Sequence, residues 1–219
     1  MITLHHLNAS RSIRILWLLE ELELPYNVVL YQRNKKTYLA PDSLKAIHPL
    51  GKSPLISDAG EVYAESGAIV EYLTNKYGKG KLSPDPDGPL AYRYHYWLHY
   101  AEGSLMPPLL LTLIFNRIES TPMPFFVKPI ARKIVSSVRD SFINPQLKLH
   151  LDYLEAELGK SKWFCGDELT SADIQMSFPL EAAKSRGFIN DSRPHLQRFL
   201  SQMHERPAYQ RALAKEAKD

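Results

Sequence analysis

A stretch rich in proline, glycine and aspartate, Leu82-Ser83-Pro84-Asp85-Pro86-Asp87-Gly88-Pro89, separates two parts of the sequence that differ in texture. Proline fixes φ and has no amide to donate, so this segment neither continues a helix nor enters a sheet, and it reads as a linker. Before it, strand-like and helix-like patterns alternate. After it, nearly every apolar pattern has the helical period. The change predicts two domains in a chain of 219 residues: 1–80, α/β, and 90–219, all-helical, with 81–89 between them.

Within the first part, Ile2 to Leu7 reads as a buried strand. From about Ser12, residues Ile13, Leu16, Trp17, Leu19 and Leu22 are apolar at helical spacing, until Pro25 ends the helix. Tyr26 to Tyr31 is a second strand, parallel to the first if that helix is the crossover. A short helix over Asp42 to Ala46 follows. Pro54 to Ser57 and Glu61 to Tyr63 flank Asp58-Ala59-Gly60, which suits an antiparallel hairpin, and Ser66 opens a helix to about Tyr77. The predicted order is β-α-β-α-β-β-α.

In the second part, Leu90, Tyr94, Trp97, Ala101 and Leu105 mark the inward face of a long helix, and Met106 to Phe115 is apolar all round, as a buried segment would be. After the break from Pro122 to Pro129, a second long helix runs to about Leu158 with a bend at Pro145. Thr170 and Asp173 make a box-like helix start before the apolar run Ile174 to Phe178. A helix from about His195 to His204 and a short charged tail complete the reading.

Composition excludes several classes. Hydrophobic residues at 44% and charged residues at 23% fit a globular protein. The formal net charge of +3, with cations scattered along the chain, argues against a nucleic-acid partner. The single cysteine, Cys165, excludes a disulfide framework and multi-cysteine zinc sites, fits a reducing compartment, and reads as a small buried hydrophobe. His5 and His6 are neighbours on a strand, so their side chains face opposite ways and cannot chelate together; no metal is expected. The run from Gly103 to Asn116 falls short of the ~20 residues of a spanning helix. It leaves room for peripheral membrane contact, although burial is the more economical account.

The chemistry-bearing signal is a spaced pair, Gly51-Lys52-Ser53-Pro54-Leu55 and then Glu65-Ser66-Gly67-Ala68-Ile69. Ser66 stands where a strand passes into a helix, so its hydroxyl, its amide and the positive helix end can together face an anion. With the segment from Ser10 to Leu24, "HPLGKSP" and "AESGAIVEYL", these motifs resemble the cytosolic glutathione transferases over essentially the whole chain, most of all a branch found in fungi and bacteria. The resemblance implies a thioredoxin-like first domain, a helical substrate domain, a homodimer and a cytoplasmic location. It also implies glutathione as co-substrate and a small hydrophobic electrophile as acceptor.

Residue by residue, the resemblance makes Pro54 the family's cis-proline, which exposes the Ser53 backbone to the cysteinyl part of glutathione. Ser66 takes the γ-glutamyl carboxylate, Glu65 the ammonium group and Lys52 the glycyl carboxylate; His48 receives no role. The thiol, with a free pKa of about 8.5, must be held as thiolate, and lowering that value by about two units takes roughly 2.7 kcal/mol. The family uses a Tyr, Ser or Cys after the first strand. Here the loop is Asn8-Ala9-Ser10-Arg11-Ser12, so Ser10 is the first choice and Ser12 the reserve, with a backbone amide or Arg11 as further options. Either serine also suits a helix cap.

For the electrophile, Tyr92, Tyr96, His99 and Tyr100 form a polar-aromatic face on the first long helix. Packing or dimer contacts are the competing account of these four. By analogy within the family, Glu102 reaches a neighbouring subunit's glutathione. Two other readings stay open: glutathione-dependent reduction of disulfides or peroxides at the same site, and a non-catalytic interaction module that keeps only the fold.

Overall fold

A computed structural model describes residues 1–216. Four strands, β1 (Ile2–Leu7), β2 (Tyr26–Tyr31), β3 (Leu55–Asp58) and β4 (Glu61–Ala64), form one sheet in the order β2-β1-β3-β4. β1 runs parallel to β2, with Leu4 opposite Val28, and antiparallel to β3, with Leu4 opposite Ile56. The parallel pair needs a crossover, which α1 (Ser12–Glu21) supplies. Ile15, Leu16, Trp17, Leu18 and Leu19 are all buried, because α1 packs on β1 and is covered in turn by later helices. The β3–β4 hairpin turns through Ala59 and Gly60, both at positive φ. With the single turn α2 (Asp42–Lys45) and α3 (Ser66–Tyr77), the predicted thioredoxin-like order is complete.

Seven helices follow: α4 (Ala91–Tyr100), α5 (Met106–Ser120), α6 (Lys128–Val138), α7 (Asn144–Leu158), α8 (Ser171–Ser185), α9 (Pro194–His204) and α10 (Pro207–Glu216). α4 passes into α5, and α6 into α7, through one π-helical turn each, Ala101–Leu105 and Arg139–Ile143. The Met106 amide donates to the Ala101 carbonyl, and the Asn144 amide to that of Arg139. Prolines stand just beyond, Pro107 and Pro108 in α5 and Pro145 in α7. They cannot donate to the carbonyl four residues back, and the wider turn carries the helix past them. The bend expected at Pro145 is this π turn.

α8 starts as its sequence predicts. The Thr170 amide and hydroxyl both donate to Asp173 Oδ2 at 2.8 Å, and the Phe164 amide donates to Oδ1 at 2.8 Å. Burial pushes the Asp173 carboxyl up to about 6 in spite of these donors. Cys165, which follows Trp163 and Phe164 in sequence, is buried, and burial, helped by the nearby Asp173 charge, pushes its thiol up to about 12.

Two expectations need correction. Met106 to Phe115 is buried on one side only: Leu109 is in the core, but Leu110, Leu113 and Ile114 are 47%, 51% and 44% exposed. Uniform apolarity in the sequence hid the fact that the protein covers one face and leaves the other open. The charged tail is a helix, α10, as far as Glu216; residues 217–219 lie outside the described residues.

α10 docks on α1. The Tyr209 ring meets Trp17 edge-on at 5.2 Å, while Arg211 and Lys215 each reach Glu20 at 2.6 Å and Arg206 reaches Glu21. The basic residues that read as a solvated tail are thus the partners of two acids on α1. Burial alone would raise the Glu20 carboxyl, but donors from Lys215, Tyr26 and Arg211 outweigh it and hold the group at about 2. A depressed pKa contributes stability that is fully present above the ordinary value of 4.5 and is lost as pH falls toward about 2. Glu20→Gln should therefore melt earlier at neutral pH, by on the order of 2 kcal/mol, and the gap in Tm to the parent should close on acidification. An equal gap at every pH in a calorimetric series would contradict this.

Among the described residues, no helix is long and apolar enough to cross a membrane, and no group of three or more His, Cys, Asp or Glu could hold a metal ion.

Candidate functional site

The site forms where three chain segments meet at the end of β1. The first is the loop into α1. Ser10 Oγ accepts the Ser12 amide at 3.2 Å, so this serine caps α1, and it lies 2.8 Å from Ser12 Oγ and 3.3 Å from Ser53 Oγ. The second is the turn into β3, where the Ser53–Pro54 bond is cis. The third is the junction of β4 and α3. Glu65 there adopts φ 69°, ψ 118°, a conformation that costs a non-glycine residue on the order of 1–3 kcal/mol and is concentrated at functional sites. Ser66 follows as the first residue of α3, its side chain buried at the positive helix end.

These segments enclose a cavity of about 250 Å3, bounded by Lys52, Ser53 and Pro54 on one side, Glu65 and Ser66 on another, and Arg11 on a third. Six of the predicted site residues thus come together. His48, given no role by the sequence, also lines it. Ser10 does not line this cavity. It borders a second one, of about 230 Å3, walled by Ile13, Phe178, Tyr209 and Leu213, and its contact with Ser53 joins the two. Ser12 is fully buried and lines neither. A larger cavity of about 780 Å3 lies against the linker, around Leu82 and Trp163, and contains none of the predicted residues.

Sequence reasoning missed what supports the cavity. Arg14, fully buried on α1, donates to Ser66 Oγ at 2.9 Å, to the Gln175 carbonyl on α8 at 2.7 Å and to Glu102 at 2.5 Å. Glu102, on the first π turn, also receives Arg11 Nε at 3.1 Å on each oxygen. The Phe178 ring lies against both guanidinium groups, at 5.5 Å and 5.4 Å. Burial pulls the Arg14 pKa down to about 10, against the pull of Glu102, so it stays charged at neutral pH. Burial would raise the Glu102 carboxyl, but Arg14 and Arg11 hold it below its usual range. Arg14 and Glu102 therefore face each other as an ion pair whose cation is fully buried and whose acid is partly exposed. The signal was an arginine set among the buried apolar residues of α1.

Within its own chain Glu102 is engaged by Arg11 and Arg14, and it lines the cavity that holds Lys52 and Ser66. The aromatic face of α4 lies elsewhere. Tyr92, Tyr96 and Tyr100 stack in a row, with ring centroids 6.4 Å and 5.5 Å apart, and Tyr100 meets His150 and Tyr153 of α7. His99 is exposed. None of the four lines either cavity beside Ser10 and Ser66. The tyrosines are spaced to make one stripe, which packs on α7 at Tyr100 and is open to solvent at Tyr92; the chain turns toward the cavity only at Glu102.

Comparison with known proteins agrees with this geometry. The family model for the glutathione S-transferase N-terminal domain matches residues 1–75, and that for the C-terminal domain matches residues 143–207. Glutathione S-transferase 3 of Schizosaccharomyces pombe is 36% identical over 95% of this chain and 85% of its own length. Glutathione S-transferase 1 of Saccharomyces cerevisiae is 37% identical over 86% of this chain and 83% of its own. A crystal structure of a glutathione S-transferase from Actinobacillus pleuropneumoniae superposes with a TM-score of 0.81 at 33% identity, covering 99% of this chain and 93% of that one. The chain belongs to the glutathione S-transferase family.

Proposed function

We propose that this enzyme binds glutathione in the cavity between Lys52 and Ser66 and conjugates its thiolate to small hydrophobic electrophiles. The observation that carries the reading is the meeting of two cavities at the Ser10 and Ser53 hydroxyls, one charged at both ends and the other walled by Ile13, Phe178, Tyr209 and Leu213. Glutathione is charged at both ends with its sulfur between them. Ser66 and Glu65 suit its γ-glutamyl end and Lys52 its glycyl carboxylate, which places the sulfur near Ser53 and Ser10. Ser10 is the donor to the thiolate, and the apolar cavity beyond it takes the electrophile in place of the α4 tyrosines. Residues 1–80 form the glutathione-binding domain, 81–89 the linker and 90–219 the substrate domain of a cytoplasmic protein.

A homodimer belongs to the same reading. Leu110, Leu113 and Ile114 make an open apolar stripe on α5, and Tyr92 stands 81% exposed on α4; a second copy would cover such a surface. Calorimetry with glutathione should give saturable one-to-one binding that Ser66→Ala weakens by about tenfold, and sedimentation should give twice the chain mass. Absence of binding would end the conjugation reading. Higher turnover on hydroxyethyl disulfide than on chlorodinitrobenzene would replace it with glutathione-dependent reduction.

A further inference from the structure

Behind Ser10 runs a chain of polar groups that conjugation, as described, leaves unused. Ser10 Oγ is 2.8 Å from Ser12 Oγ, Ser12 Oγ is 3.0 Å from His6 Nδ1, and His6 Nε2 is 3.6 Å from Glu216 Oε1. Ser12 and His6 are buried, at 0% and 1% exposure. Glu216, on the last turn of α10, lines the same 230 Å3 cavity as Ser10. The other charged groups around that cavity are taken, Arg14 by Glu102 and Glu181 by His204.

Counting protons limits the directions in which this chain can donate. Each serine hydroxyl has one proton, and the Leu7 carbonyl, 3.2 Å from Ser12 Oγ, can only accept. With His6 Nδ1 as an acceptor, the Ser12 proton goes to that nitrogen or to Leu7, and Ser10 turns its own proton back toward Ser12. None is then left for a thiolate. With a proton on Nδ1, His6 donates to Ser12; the Ser12 proton then goes to Leu7 or to Ser10, and when it goes to Ser10 the Ser10 proton is free to point into the cavity. His6 Nε2 is buried with no hydrogen-bond partner among the described residues, and the carboxylate nearest it is Glu216. Nδ1 thus faces the Ser12 hydroxyl at 3.0 Å, while Nε2 faces the Glu216 carboxylate at 3.6 Å.

We propose that His6, backed by Glu216, is a positioning residue that turns the Ser10 hydroxyl toward the glutathione thiolate through Ser12. Successive donors aligned in one direction polarise one another, so the last hydroxyl is a better donor to sulfur than an isolated serine. The inference rests on the conjugation reading and on Ser10 as the partner of the thiol.

The measurement is the pKa of the bound glutathione thiol, read from thiolate absorbance across pH, with glutathione affinity from calorimetry beside it. His6→Phe and Ser12→Ala should each raise that pKa by about one unit, a tenfold loss of thiolate below it, and Glu216→Gln by about half as much. Affinity for glutathione in its thiol form should not change. Glu216 sits partly exposed at a helix end, so its variant guards against a folding failure of the buried ones. A parental thiol pKa in Ser12→Ala and Glu216→Gln, beside a raised one in Ser10→Ala, overturns the relay and leaves the conjugation reading standing. A parental value in Ser10→Ala as well overturns both.

Discussion

Ser10→Ala should lower kcat/KM for conjugation by about a hundredfold while glutathione binds nearly as before. That split follows from where Ser10 stands. It lies outside the cavity that holds the charged ends of glutathione and touches it only through Ser53, so little ground-state affinity depends on it. It lines the second cavity, and in the proposed reading its hydroxyl donates to the sulfur as negative charge collects there. Removing one aimed donor from a site of developing charge costs roughly 10²–10³ in rate. Because Ser10 also caps α1 through the Ser12 amide, the variant should lose about 1 kcal/mol of stability. Stopped-flow conjugation with calorimetric Kd values checks the split; a proportional loss in binding and rate would assign Ser10 to binding alone.

The second large effect is expected at Arg14. Arg14→Leu leaves the Glu102 carboxylate, the Ser66 hydroxyl and the Gln175 carbonyl without their shared donor. Leaving buried polar groups short of a donor costs about 1–3 kcal/mol each, so Tm should fall and glutathione affinity with it. Arg14→Lys keeps the charge but not the planar fork, and should recover only part of both. Combining Arg14→Leu with Glu102→Gln should cost less than the sum of the two, since both changes remove the same Arg14–Glu102 contact. Additive losses in thermal scans would show that the two side chains act independently.

Much of the fold was legible because its signals are local. The crossover from Ile2 to Tyr31, the Asp58-Ala59-Gly60 turn and the Thr170–Asp173 box each depend on residues close in sequence. Lys52, Pro54, Glu65 and Ser66 were legible as a set because turn and helix-start chemistry allow few residue types there. What escaped was chemistry assembled across distance. Arg14 meets Gln175, 161 positions away, and no local pattern announces a bond of that span. The basic residues of α10 looked solvated because their acids lie on α1. The α4 tyrosines carried the right chemistry for a pocket, but helical spacing says which residues share a face, not what that face meets. A proline bend was legible at Pro145; that it takes the form of a π turn, and that a matching turn delivers Glu102 to Arg14, follows only from packing.

A catalyst that handles reactive electrophiles faces them first with its own side chains. The chain has one cysteine. Sealed in the core and held protonated at neutral pH, Cys165 offers these compounds no thiolate. Self-alkylation of sulfur is thereby suppressed, and the protein should outlast many turnovers in an excess of acceptor that would inactivate one with an exposed cysteine. The same seal makes Cys165 a reporter: thiol reagents should label it only when the native structure opens, so its labelling rate measures unfolding.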